Sequence, residues 1–154
     1  MKQRFPMRDQ RLHVLADRGE PGAQFNLGIV YDSRTDANGL PVEGNRAEAM
    51  IWLLRAARQG LSRAQIRLAE MYAEAPATAD HNVKAAFWFR VASGNSVGAY
   101  RQAAQSGYDE AIARMTPRQV ATVDRGVQGW APQREAAPMP AADPPKTPQP
   151  AAAK

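Results

Sequence analysis

Arg63 and Arg67 stand one helical turn apart, and two guanidinium forks at that spacing can grip a carboxylate through parallel charge-assisted hydrogen bonds. Asn26 is the third residue suited to such a clamp, and Phe25, Ile29, Asp32, Ile66 and Glu70 would border it, so an acidic peptide with apolar flanks is the ligand this set would take. The competing arrangement has both arginines solvated or paired with nearby acids such as Glu70, as charges on surface helices commonly are. Covalent chemistry has far less to work with. Cysteine is absent, which removes thiolate metal sites, disulfides and a cysteine nucleophile, and the two histidines, His13 and His81, lie far apart. No G-x-S-x-G nucleophile elbow, H-E-x-x-H motif, phosphate loop or paired nucleophile and base is expected. His13, between Leu12 and Val14, is expected on a helix surface, and His81, before Asn82, at a helix entry. These residues point to a binding module with no catalytic residue, no metal and no cofactor.

The elements that must position such a clamp are visible as an internal repeat. Ala23, Leu27 and Tyr31 in AQFNLGIVY recur as Ala64, Leu68 and Tyr72 in AQIRLAEMY, each displaced by 41 residues. Ala49, Trp52 and Ala56 in AMIWLLRA recur as Ala85, Trp88 and Ala92 in AAFWFRVA, each displaced by 36. One unit is therefore two helices, and the first unit carries the longer connection after Tyr31. Spacings of i, i+4, i+8 and i, i+3, i+7 put each trio on one helical stripe, and alternating small and large residues let neighbouring helices approach closely. The spacing predicts helices at about 7–18, 21–34, 45–59, 62–74, 82–93, 96–106, 108–115 and 117–129, with no strand. Capping boxes are expected at Ser62/Gln65, Asn45/Glu48 and Thr116/Gln119, and left-handed glycine caps at Gly19, Gly60, Gly94 and Gly107.

With those stripes turned to the core, the adjacent stripe Phe25, Asn26, Ile29 and Asp32, and its counterpart Ile66, Arg67, Glu70 and Ala73, should line one shared face. The protein has 154 residues and a formal charge of +5. That balance raises nucleic acid as an alternative partner, but the arginines are interleaved with acids and most aromatics fall on the core stripes. The longest apolar runs, such as MIWLL at 50–54, fall far short of the roughly 20 residues of a membrane span. The first twenty residues lack the apolar stretch of a signal peptide, so a cytoplasmic protein is expected. From Ala131 onward prolines recur with little apolar bulk between them, and residues 131–154 are expected to be a disordered Pro/Ala-rich tail after a folded region at 1–130.

At these positions the chain resembles the Sel1-like repeat family, relatives of the tetratricopeptide repeats, whose units carry an A-x-x-x-L-G-x-x-Y helix and then an A-x-x-W/F-x-x-x-A-A-x-x-G helix. Ala23 to Tyr31, with Gly28 after Leu27, and Ala49 to Gly60 match that pattern, while Ala69 replaces the glycine after Leu68. Leu12 to Gly19 looks like the end of a preceding second helix, and Arg114 to Trp130 like the closing helix of many bacterial members. The resemblance implies an all-α antiparallel helix-pair solenoid of about two and a half units. It also implies a non-catalytic adaptor or scaffold that holds a protein or peptide on its concave helical face. Apolar faces at the two ends of so short an array would allow a monomer or a weak homo-oligomer.

Overall fold

A computed structural model describes residues 7–33, 43–76 and 78–135. The described residues form seven helices and no strand: α1 (Met7–Asp17), α2 (Pro21–Asp32), α3 (Glu43–Arg58), α4 (Ser62–Glu74), α5 (Ala79–Asn95), α6 (Gly98–Ile112) and α7 (Pro117–Gln128). From α1 to α6 each helix packs on the next, α4 also meets α6, and α7 packs on α5 rather than on α6, so even- and odd-numbered helices form two layers. This is an all-α helix-pair solenoid. The long connection after Tyr31 and the tail beyond residue 135 lie outside the described residues.

The two layers share one core. Ala23, Leu27, Tyr31, Ala49, Trp52, Ala56, Ala64, Leu68, Ala85, Trp88 and Ala92 are buried. So is Gly28, whose bare backbone lies so close to α3 that a Cβ there would meet Leu53 at 2.7 Å. Tyr72 differs from its counterpart Tyr31: it is only partly buried, with its ring against His81 and under the Lys84 ammonium. At the C-terminal end Trp130 meets Trp88 edge to face, 6.4 Å between centroids.

Helix ends show which local signals act. Gly19 and Gly60 have φ of 89° and 96°, and each closes the same pair of bonds. Gly19 N–H donates to the Ala16 carbonyl and Glu20 N–H to that of Leu15, just as Gly60 N–H donates to Ala57 and Leu61 N–H to Ala56. These are Schellman motifs, repeated at the end of α1 and of α3. Thr116 and Gln119 form the full capping box of α7.

Other signals are overridden. The cap of α4 is Leu61 rather than Ser62, because Gln65 is drawn into the core, where it donates to the Ala57 carbonyl at 3.0 Å. Asn45 lies inside α3, which begins two residues earlier. α5 starts at Ala79, capped by Thr78, whose hydroxyl accepts from His81 N–H, and it runs straight through Gly94. The segments expected at 96–106 and 108–115 are one helix, α6, continuous through Gly107. A Cβ at Gly107 would meet three carbons of the Phe89 ring at 2.5–2.7 Å, so the glycine serves close packing of α6 on α5 rather than a turn. His13 lies partly buried rather than on an open surface, edge-on to Tyr31 and Trp52.

The chain remains packed for five residues beyond 130. Residues 131–135 run back over the ends of α3 and α1, with Pro132 against Gly60, Gln133 N–H donating to the Arg58 carbonyl at 2.8 Å, and Glu135 against Gly19.

Two glycine substitutions should therefore differ in sign. Gly107→Ala should lower the unfolding free energy by about 1–3 kcal/mol, because the methyl overpacks a buried ring. Gly94→Ala has no neighbouring atom within 4 Å and should raise it by about 0.5–1 kcal/mol, as expected for an exposed helical glycine. Urea denaturation of the two variants checks both signs.

Candidate interaction surface

The face made by α2, α4 and α6 carries the residues singled out from the sequence, but the structure distributes them differently. Arg67, on α4, crosses to α2, where its Nη2 and Nε donate to Asp32 Oδ2 at 2.6 and 3.0 Å. Its Nη1 donates to Glu70 and Glu74, both at 3.1 Å. Glu74 is held from the other side by Arg46, at 2.9 Å, and Arg46 also donates to the Met71 carbonyl. Burial works against the charge on Arg67, yet its hydrogen bonds to Asp32 and Glu70 outweigh it and raise the guanidinium pKa above its ordinary value. Partial burial likewise opposes the Glu74 charge, and the bonds from Arg46 and Arg67 outweigh it, holding the carboxyl below its usual value.

Arg67 is thus a rivet between repeats, with its fork already filled. Arg63 lies apart from it, exposed, with its guanidinium stacked over the Phe25 ring at 4.8 Å. Asn26 and Ile29 are exposed on α2. Ile66 is buried and does not reach the face, because α4 turns that position toward the core. The expected clamp of Asn26, Arg63 and Arg67 is therefore not assembled: Arg67 is engaged by three carboxylates and Arg63 by an aromatic ring.

A cleft the sequence did not reveal lies on the same face, between α4 and α6 with α5 as its floor. It has a volume of about 460 Å³. Ala85, Phe89, Ala103 and Ala111 give it an apolar lining, and Glu70, Glu74, Glu110 and Arg114 stand around it. Its depth comes from small residues on α6 beside one large residue on α5, which is the Gly107–Phe89 contact seen from outside. That large-to-small pairing between adjacent helices is the signal from which it could have been found.

One string with a catalytic look does occur, Gly94-Asn95-Ser96-Val97-Gly98, which spells G-x-S-x-G. A nucleophile elbow needs a strand before the serine and an exposed hydroxyl. Here helix α5 precedes it, and buried Ser96 donates its Oγ to the Ala92 carbonyl. Among the described residues no group of three or more His, Asp or Glu could hold a metal ion, and no helix is long and apolar enough to cross a membrane.

Two stacked helix-turn-helix units with a shared core, joined by matching glycine caps, define a repeat protein of the solenoid class. The sequence model of the Sel1 repeat matches residues 21–61 and 62–94, that is α2 with α3 and α4 with α5. Residues 21–94 therefore carry two Sel1 repeats, and Sel1 repeats generally form non-catalytic scaffolds that mediate protein–protein interactions. No curated protein and no solved structure matches the chain.

Replacing Arg67 tests its structural role. Arg67→Gln should cost about 1–2 kcal/mol at neutral pH, less than a fully buried network would, since the side chain is one quarter exposed. Glu74 has a depressed folded pKa, so its contribution is complete above its unfolded value and is lost as pH falls through the folded one. The stability gap between wild type and Arg67→Gln, measured by urea denaturation, should accordingly close in acid.

Proposed function

We propose that this protein is a cytoplasmic, non-catalytic adaptor that holds a peptide or protein partner along the face built by α2, α4 and α6, the side expected to be concave. The observation that carries the reading is the cleft between α4 and α6. It offers an apolar floor large enough for one or two side chains, presented by the second Sel1 unit and the helix that follows it, and Sel1 repeats mediate protein association.

The chemistry of the cleft also changes the expected partner. An acidic group would meet Glu70, Glu74 and Glu110 against a single rim arginine, Arg114, because Arg67 already has its carboxylates. A segment that inserts an apolar side chain, flanked by neutral or basic groups, fits this rim better than an acidic one. Asn26, Ile29 and the Arg63–Phe25 stack extend the same face toward the first repeat and give a longer segment further contacts. Nucleic acid has less support here, because Arg46, Arg55 and Arg67 are engaged by carboxylates and Arg63 and Arg90 lie over rings.

Filling the cleft tests the reading. Ala103 and Ser106 are exposed at its edge, so Ala103→Trp with Ser106→Arg should block it while leaving the helical circular dichroism unchanged. A discrete protein retained from nuclease-treated lysate by the wild-type chain should then be lost. Equal retention by both forms would exclude the cleft, and retention only when nuclease is omitted would favour nucleic acid.

A further inference from the structure

The segment that follows α7 occupies a socket that shares no residue with the cleft. Glu135 places its carboxylate on Arg55, with Nε to Oε1 at 2.9 Å and Nη2 to Oε2 at 2.7 Å, a bidentate fork. Gln24 Nε2 donates to the same Oε2 at 2.9 Å, and Glu135 N–H donates to Gln59 Oε1 at 3.3 Å. Two residues earlier, Gln133 N–H is bound by the Arg58 carbonyl, and Pro132 lies on Gly60 while Glu135 lies on Gly19.

The donors of this socket are held by the repeat and not by the segment. Gln24 is fully buried; its Nε2 also reaches the Ala16 carbonyl, and its Oε1 accepts from Gln59 Nε2 at 2.8 Å. Gln59 Nε2 in turn donates to the Gly19 carbonyl. Arg55 stands over the Trp52 ring, 4.6 Å from its centroid, which fixes the plane of the fork. The two landing points are the glycines of the two Schellman turns. A side chain at either would crowd the segment, with Cβ contacts of 3.1 Å to Glu135 and 3.2 Å to Pro132, on top of the strain of positive φ.

The second repeat lacks the equivalent. Its buried glutamine, Gln65, is present and donates to Ala57, but the positions displaced by 36 from Arg55 and Gln59 are Val91 and Asn95. Gln65 Oε1 accordingly has no hydrogen-bond partner among the described residues. The carboxylate socket is therefore particular to the first repeat and is not a by-product of the fold.

We propose that the ridge formed by Gly19, Gln24, Arg55, Gln59 and Gly60 is a recognition site for an extended P-x-x-E segment, with the chain's own Pro132–Glu135 as its resident intramolecular ligand. The glutamate anchors the segment, two backbone N–H groups set its register, and the proline sits flat on a glycine that gives it room. A partner segment of the same chemistry enters by displacing residues 131–135. This site is separate from the cleft on the α4–α6 face, so either can fail without the other.

The test uses the full chain and a labelled peptide with the sequence of residues 131–138. In wild type the tethered segment competes, whereas Glu135→Gln weakens it, so the peptide should bind the variant at least about tenfold more tightly, the value of a lost charge-assisted hydrogen bond. Adding Arg55→Gln should abolish that binding, Arg55→Lys should restore part of it, and a peptide with glutamine for the glutamate should not bind. Shifts of the Gln24 and Gln59 side-chain amide resonances would place the peptide and report that each variant is folded. Absence of binding to the Glu135→Gln chain at millimolar peptide, or equal binding with and without Arg55, would overturn the proposal.

Discussion

The structure depends on how closely the backbones of paired helices can approach. Gly28 puts α2 against Leu53 of α3, and Gly107 puts α6 against Phe89 of α5; at both a single methyl would overlap a buried side chain. Close approach lets alanines at 49, 56, 64, 85, 92 and 104 be fully or almost fully covered, and it leaves the tryptophans to fill the wider gaps between pairs. It also fixes surface features. Where α6 is drawn onto Phe89, the face between α4 and α6 becomes a cleft. Where α1 and α3 end in identical glycine turns, the surface gains two equivalent flat spots on which an extended chain can lie.

The repeat, the two-helix unit and the stripes that face the core, Tyr72 apart, were legible because they are encoded by small and large side chains at fixed spacing, which burial reads directly. The signals that misled were ones with two physical uses. Gly107 follows two alanines and two further residues, just as Gly60 does after Ala56 and Ala57, yet Gly60 ends a helix and Gly107 sits inside one. Packing against Phe89 decided between them. Ser62 and Gln65 have the spacing of a capping box, but Gln65 is more useful sealing the Ala57 carbonyl at the end of α3. The same glutamine in the first repeat, Gln24, seals Ala16 and then takes on the carboxylate of Glu135. That contact joins residues 111 positions apart, and no periodicity could announce it.

Charge illustrates the same division. A formal charge of +5 reads as an open basic surface, whereas the structure uses several arginines as internal fasteners. Arg67 ties α2 to α4, Arg46 ties α3 to the end of α4, and Arg55 ties α3 to the strap at 131–135. Each has a planar fork with fixed donor directions, which is why arginine rather than lysine occupies these junctions. Burial of Ile66 and the engagement of Arg67 remove two members of the face inferred from the stripe, since a stripe gives direction around the helix but not which neighbours will meet it there.

The placement of the two surfaces has a consequence for how a scaffold of this size can work. The cleft belongs to the even-numbered helices and the strap socket mainly to the turns that end α1 and α3, so occupants of the two would not collide. They are nonetheless joined by α4, which starts at the Gly60 turn under Pro132 and carries Glu70 and Glu74 to the rim of the cleft. Coupling between the two sites would need α4 to have two arrangements. The Arg67 network argues against that, because Glu70 and Glu74 hold the guanidinium in place on α4 and any shift of α4 along α2 would break both of its bonds to Asp32 together. A chain built this way would hold two segments at separate places on one rigid frame, and it would bring them together by position instead of by switching.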